Sequence, residues 1–337
     1  MRGIQISQYL QSPDHVDRLS PIQLPDPSPK EDQYLIAIRA SATNFFDILQ
    51  VQGKYQHQPP LPWISGSEFS GYVLKTPSTG VPRYKVGDRV FGASQGSYAT
   101  KICASENLLH KIPDGWSYEA AAGLYVTVPT SYAALTIRAN LKEGEWVLVH
   151  AGAGGVGLAA IQVAKALGGK VIATAGSKDK LEICKSFGAD YGIIYREKSW
   201  TQEVLKLTGG RGVDVIYDPV GLVDLSMKCI NWNGRILVVG FAAGTIEKVA
   251  LNRVLLKNIS LVGIHWGAYS KFEPEMIDRV WQGIFNLIEQ GKFKPTVYGK
   301  KFDDLENVGA ALKALGQRET WGKVVVSVPE EEERSKL

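Results

Sequence analysis

Four glycines in the stretch His150-Ala-Gly-Ala-Gly-Gly-Val-Gly-Leu-Ala-Ala160 have the type and spacing to hold a phosphate. Gly152, Gly154 and Gly157 satisfy Gly-x-Gly-x-x-Gly, which alone is a weak pattern. Its setting strengthens it. The apolar run "EWVLVH" (145–150) reads as a buried strand and "VGLAAIQVAKAL" (156–167) as a helix. In a strand–loop–helix turn, Gly152 is expected to allow the bend. Gly154 and Gly155, with Val156 beside them, bring backbone N–H groups up to a pyrophosphate, and Gly157 lets helix and strand pack closely. The helix start adds partial positive charge beneath the phosphates. The competing reading, a tight turn with close packing, does not need all four glycines.

The following strand separates the two nicotinamide dinucleotides. "KVIATAG" (170–176) runs into Ser177-Lys178-Asp179-Lys180. An acid at this strand end would hold a ribose 2′-hydroxyl, as in NAD sites. Here Ser177, Lys178 and Lys180 stand instead, and a hydroxyl with ammonium groups attracts a 2′-phosphate. Asp179 is expected one step inside the helix, serving its dipole. NADPH is therefore the expected cofactor, against the plainer view that both lysines are only exposed helix charges.

These residues need a scaffold, and the chain supplies one. From residue 129 onward strands and helices alternate at regular spacing: "YGIIY" (191–195), "VDVIYDPVG" (213–221), "GRILVVGF" (234–241) and "NISLVGIHWG" (258–267) are further strands. That alternation implies an α/β fold with a doubly wound parallel sheet. Residues 1–128 read instead as short apolar strands broken by Gly, Pro and Asp. After residue 268 a long amphipathic helix leads into a segment expected to rejoin the first domain, which would make residues 1–128 with 268–337 one discontinuous unit and 129–267 the other. No internal repeat is evident.

Composition excludes several classes. The 337 residues include 45% hydrophobic and 21% charged, enough for large cores. A net charge of +4, without a basic block, gives no footing for nucleic acid. Three scattered cysteines exclude a disulfide framework. No apolar run is long enough to span a membrane, and the N-terminus has no signal-peptide core. The last residues, Ser335-Lys336-Leu337, form the peroxisomal address, so an import receptor is an expected partner and the peroxisome the expected location, with the cytoplasm as alternative.

The stretch from His150 through "YGIIYRE", with "ASATNFFDILQVQGKY", "GSEFSGYV" and "VGDRVFG", resembles the medium-chain dehydrogenase/reductase superfamily, and within it the zinc-free quinone oxidoreductase (ζ-crystallin-like) branch. The resemblance spans nearly the whole chain. It implies a GroES-like catalytic domain on a Rossmann cofactor domain, with the active site in the cleft, and a homodimer or homotetramer. It further implies that Asn44 and Tyr55 face the nicotinamide and that Thr130 touches the cofactor. By the same resemblance Lys180 and Tyr195 grip its 2′-phosphate and adenine end, and Gly240, Phe241 and the segment around His265 meet the nicotinamide. Arg318 matches a late basic residue near the phosphates.

Zinc-dependent members place His in Gly-His-Glu-x-x-Gly and Cys upstream. This chain has Ser67 in Gly66-Ser-Glu-Phe-Ser-Gly71 and Asn44 upstream, and it lacks the four-Cys lobe. His15, His57, His110, His150 and His265 have no ligand spacing, so no metal is expected. Glu68 is expected in a buried salt bridge to an arginine, and His150 in a structural role. Without a Lewis acid, alcohol oxidation is disfavoured, whereas hydride transfer to a quinone or enone needs less help. Tyr55 could donate the proton or hydrogen-bond the oxyanion, or it could simply pack while water serves. The expected activity is NADPH-dependent reduction of quinones or enones. The alternatives are a 2-enoyl thioester reductase and a non-catalytic NADPH-binding protein.

Overall fold

A computed structural model describes residues 1–197, 199–244 and 246–330. The terminal Ser335-Lys336-Leu337, expected from the sequence to act as an address, lies outside the described residues. The chain forms two compact units, Met1–Val126 with Pro295–Leu337, and Thr127–Lys294.

The first unit is built on β1 (Gln33–Ala42), β2 (Glu68–Lys75), β3 (Arg89–Ala93), β4 (Lys101–Ser105) and β5 (Leu109–Lys111). Strand β1 shows how sequence makes them. Tyr34, Ile36, Ile38 and Ala40 are buried while the residues between them are not, the period-two pattern of a strand with one face on a core. Helix α1 (Phe45–Val51) leaves β1 through Asn44.

The second unit carries β6 (Trp146–Val149), β7 (Lys170–Ala175), β8 (Tyr191–Ile194), β9 (Val213–Asp218), β10 (Ile230–Val238) and β11 (Ser260–Gly263). Its helices include α2 (Thr127–Ala133), α3 (Gly155–Ala166), α4 (Lys178–Ser186), α5 (Trp200–Leu207), α6 (Leu251–Lys257) and α7 (Glu275–Glu289). The strands run parallel in the order β8-β7-β6-β9-β10-β11, the doubly wound arrangement that places ligands at the carboxyl ends of its central strands. Val147, Leu148 and Val149 are wholly buried, as a strand covered on both faces requires.

The chain then returns to the first unit with β12 (Phe302–Asp303), α8 (Val308–Gly316) and β13 (Val325–Ser327). There the order is β12-β13-β1-β2-β3-β5, with β4 also paired to β1. The expected discontinuity is present, but the crossing falls at Pro295, not at 268. The reason is packing. A Cβ on Gly283 of α7 would strike the Tyr132 hydroxyl of α2 at 2.0 Å, so the two helices lie in close contact. Gln162 of α3 then binds the backbone of Lys294 through both its oxygen (2.9 Å) and its nitrogen (3.2 Å). Among the described residues no helix is long and apolar enough to cross a membrane.

Candidate active site

The glycine loop joins β6 to α3, with Gly154 at the cap. The first intrahelical bond runs from Leu158 N–H to Gly154 O at 2.9 Å, so the amides of Gly155, Val156 and Gly157 stand ahead of it. The glycines divide their work differently from expectation. Ala151, not Gly152, takes the left-handed bend (φ +47°). Gly152 is needed for space: a Cβ there would come within 2.9 Å of Ala173 Cβ and 3.0 Å of Cys184 Sγ. At Gly157 a Cβ would lie 2.4 Å from Ala151 O, inside the loop itself and not against the strand. A Cβ at Gly154 would meet only Ala151 O, at 3.2 Å, leaving the outer side of the loop open for a ligand.

Beside this loop β7 ends at Ala175, and Ser177 caps α4, its hydroxyl oxygen accepting from Lys180 N–H at 3.4 Å. That leaves the Ser177 proton available to donate. Lys178 and Asp179 are exposed in the first turn, Asp179 one step inside α4 as expected, and Lys180 is half-buried. The Tyr195 hydroxyl would lie 3.3 Å from a Cβ on Gly176. Ser177, Lys178, Lys180 and Tyr195 are thus gathered at one strand end. The group fits a phosphorylated ribose: one hydroxyl, two ammonium groups, an aromatic edge and a glycine that leaves room.

The neighbouring strand ends converge as well. Asp218 closes β9, buried, its oxygens accepting from the backbone N–H groups of Val220 (2.8 Å), Gly221 (2.9 Å) and Leu222 (2.6 Å). Gly240 and Phe241 follow β10 in a turn pinned by Ala242 N–H to Pro219 O at 3.0 Å. Phe241 is exposed, and so is His265 after β11. Thr130 is half-buried in α2, next to Ser131, whose Oγ lies 2.9 Å from both Val156 O and Tyr217 Oη. His150 is wholly buried, with Nδ1 3.0 Å from Thr174 Oγ1 and Nε2 2.9 Å from Ser226 Oγ. Burial holds its pKa down, so it is a neutral, fully engaged ring that ties the end of β6 to β7 and to the helical turn at Val223–Ser226.

In the first unit Asn44 sits at the start of α1 inside a buried polar cluster. Its Nδ2 donates to Glu68 Oε1 at 2.9 Å. Lys323, 3% exposed, donates to Asn44 Oδ1 at 2.7 Å and Thr43 O at 2.9 Å, and its Nζ lies 2.5 Å from Glu68 Oε1. The partner of Glu68 is therefore this lysine and not an arginine. Lys323 stands just before β13, the strand paired with the end of β1, which brings its side chain to Asn44. Its signal in the sequence was a lone charge opening an apolar strand run, "WGKVVVSV".

Asp47 was also missed. It is buried, accepting from Asn44 N–H (2.8 Å), Tyr98 Oη (2.6 Å) and Ser67 Oγ (3.0 Å), and burial pushes its pKa up to about 6. An acid three residues after Asn44 is the mark of a helix start that could have found it. Tyr55 stacks on Phe46 with centroids 5.1 Å apart. Burial and the charge of Asp47 raise its pKa, so the phenol stays protonated. No hydrogen bond engages that phenol among the described residues. Arg318, in a left-handed conformation (φ +59°) after α8, is exposed and belongs to the first unit, apart in the chain from the basic cluster on α4.

A zinc ion finds no such fit. Ser67 is hydrogen-bonded to Asp47, while Asn44 and Glu68 face the Lys323 ammonium. Among the described residues no three His, Cys, Asp or Glu side chains come together to hold a metal.

Comparison with known proteins agrees with this architecture. Residues 30–137 match the alcohol dehydrogenase GroES-like domain, and residues 155–282 match the family described as zinc-binding dehydrogenase. The quinone oxidoreductase-like protein 2 homolog of Nematostella vectensis is 37% identical over 299 residues, 88% of this chain and 81% of that one. The Escherichia coli quinone oxidoreductase complexed with NADPH superposes with a TM-score of 0.86 at 29% identity, over 97% of this chain and 100% of the other. The CurK enoyl reductase superposes with a TM-score of 0.84 at 26% identity, over 97% and 99%. The chain belongs to the medium-chain dehydrogenase/reductase superfamily, in its quinone oxidoreductase-like branch.

Proposed function

We propose that the chain is a zinc-independent, NADPH-dependent reductase that passes hydride to quinones or other α,β-unsaturated carbonyl acceptors. The observation that carries this reading is the gathering of Ser177, Lys178, Lys180 and Tyr195 beside an open glycine loop, with no carboxylate at the end of β7. NADPH supplies the hydride from its nicotinamide when bound. The Gly155–Gly157 amides hold the pyrophosphate, and the Ser177 hydroxyl with the two lysines holds the 2′-phosphate. Asn44 and Tyr55 serve the acceptor. The Tyr55 phenol, kept protonated, donates a hydrogen bond or a proton to the oxygen on which charge develops. Zinc independence is supported by Ser67, Asn44 and Glu68 being engaged with Asp47 and Lys323.

The likeness to an enoyl reductase supports a second reading, a 2-enoyl thioester reductase, in which Tyr55 would protonate an enolate. Following NADPH oxidation with 9,10-phenanthrenequinone and with crotonyl-CoA separates the two. Quinone turnover that Tyr55→Phe lowers only a few-fold supports the first reading. Turnover of the thioester alone, reduced roughly 10²-fold by Tyr55→Phe, overturns it. Tight NADPH binding with no turnover of any acceptor would leave a binding protein.

A homodimer is supported by one edge of the second unit. No residue of α6 is buried, and Leu251, Leu255 and Leu256 are each more than 70% exposed. The edge strand β11 is largely exposed too. The Ser335-Lys336-Leu337 end supports a peroxisomal address, which imaging a reporter fusion with a free C-terminus checks, a diffuse cytoplasmic signal counting against it.

A further inference from the structure

A carboxamide has two ends that look alike in shape and opposite in chemistry, and the surroundings of Asn44 distinguish them. Its oxygen lies 2.7 Å from the Lys323 ammonium, and its nitrogen lies 2.9 Å from Glu68 Oε1. Turned over, the amide would set N–H against an ammonium, which can only donate, and C=O against a carboxylate, which can only accept. Both contacts would become repulsive inside a site where Glu68 is fully buried and Lys323 is 3% exposed.

The cluster is itself closed. The three ammonium donors of Lys323 are used on Thr43 O, Asn44 Oδ1 and Glu68 Oε1. Glu68 Oε2 accepts from Val126 N–H at 3.0 Å. Of the two Asn44 amide protons one is spent on Glu68, and the other has no partner among the described residues.

We propose that Lys323 and Glu68 are positioning residues that lock the Asn44 carboxamide in one orientation, so that Asn44 presents an N–H donor, and never a carbonyl, to the reactant. The inference rests on the reductase reading given above. For that chemistry a fixed donor is the useful polarity, because hydride addition puts negative charge on the acceptor oxygen. A carbonyl at the same place would repel that charge.

The test uses the full chain with Lys323→Met/Glu68→Gln, a pair that keeps volume, removes both charges together, and lets residue 68 hydrogen-bond either end of the amide. Protein labelled with ¹⁵N at asparagine gives the Asn44 side-chain signal, identified as the one missing from Asn44→Asp. In the wild type its two protons are expected to be well separated, one shifted by the carboxylate. In the double variant the separation is expected to shrink, and kcat to fall roughly 10²-fold, the effect of losing one oriented donor. Lys323→Ala, with methylammonium supplied in solution, is expected to regain part of its kcat, whereas tetramethylammonium, which has no N–H, restores none.

An Asn44 signal identical in the wild type and the double variant, or a folded double variant with wild-type kcat, overturns the proposal. If the double variant fails to fold, the methylammonium result decides: no regain in Lys323→Ala overturns it. A wild-type chain that turns over no acceptor, yet shows the expected Asn44 change, overturns the reductase reading and upholds the lock.

Discussion

Asp47 sits behind Asn44 with three donors aimed at its carboxylate, yet burial outweighs them and lifts its pKa from 3.8 to about 6. The sign of the consequence follows from linkage. Between about pH 4 and pH 6 the unfolded chain releases this proton and the native chain keeps it, so its contribution to stability is complete below pH 4 and is lost as pH rises through 6. A difference of this size between the folded and unfolded carboxyl corresponds to roughly 3 kcal/mol. Asp47→Asn should flatten the thermal-stability profile between pH 4 and 7 relative to the wild type. Melting both proteins across that range checks it, and parallel profiles would contradict the assignment. At this scale the sequence revealed residues whose chemistry is local. The glycine pattern was legible as a turn between strand and helix because it is set by neighbours in the chain, whereas the cap that Ser177 forms on α4 was not read from it. Lys323 was not legible, because its partners Asn44 and Glu68 lie more than 250 residues away, and a buried charge discloses only that it needs an opposite one. The arginine expected for Glu68 had the right sign and the wrong residue.

The central strands of the parallel sheet were readable, since a strand covered on both faces is a plain run of apolar residues such as Val147–Val149. The roles within the glycine loop were not, because which residue bends left-handed depends on what Ala173, Cys184 and Ala151 leave room for. One element covers the core with little of itself, packing on it through Val254. Helix α6 turns Leu251, Leu255 and Leu256 to solvent, and β11 is the outermost strand of its sheet. Apolar side chains grouped on one short helix mark an association surface. The wild type should therefore sediment as a dimer at micromolar concentration, and Leu255→Glu should shift it toward monomer while leaving the melting transition of the unit cooperative. A wild type that sediments as a monomer would contradict this.

At the scale of the molecule, the change from broken strands to alternating strand and helix marked two units, and the chain does pass back to the first. The return point was misplaced by 27 residues, because the amphipathic pattern of α7 says that it covers something apolar without saying which unit supplies it. Gly283 against Tyr132, and Gln162 against Lys294, answer that, and both are contacts between distant positions. The central claim, an NADPH reductase that works without zinc, is tested most directly by NADPH oxidation with 9,10-phenanthrenequinone before and after dialysis against a chelator. The rate should be unchanged by chelation, and NADH should serve at least roughly tenfold less well, the worth of one charge-assisted hydrogen bond to the 2′-phosphate. Activity that vanishes with the chelator and returns only with added Zn²⁺, or no NADPH oxidation with any quinone or enone, would contradict it.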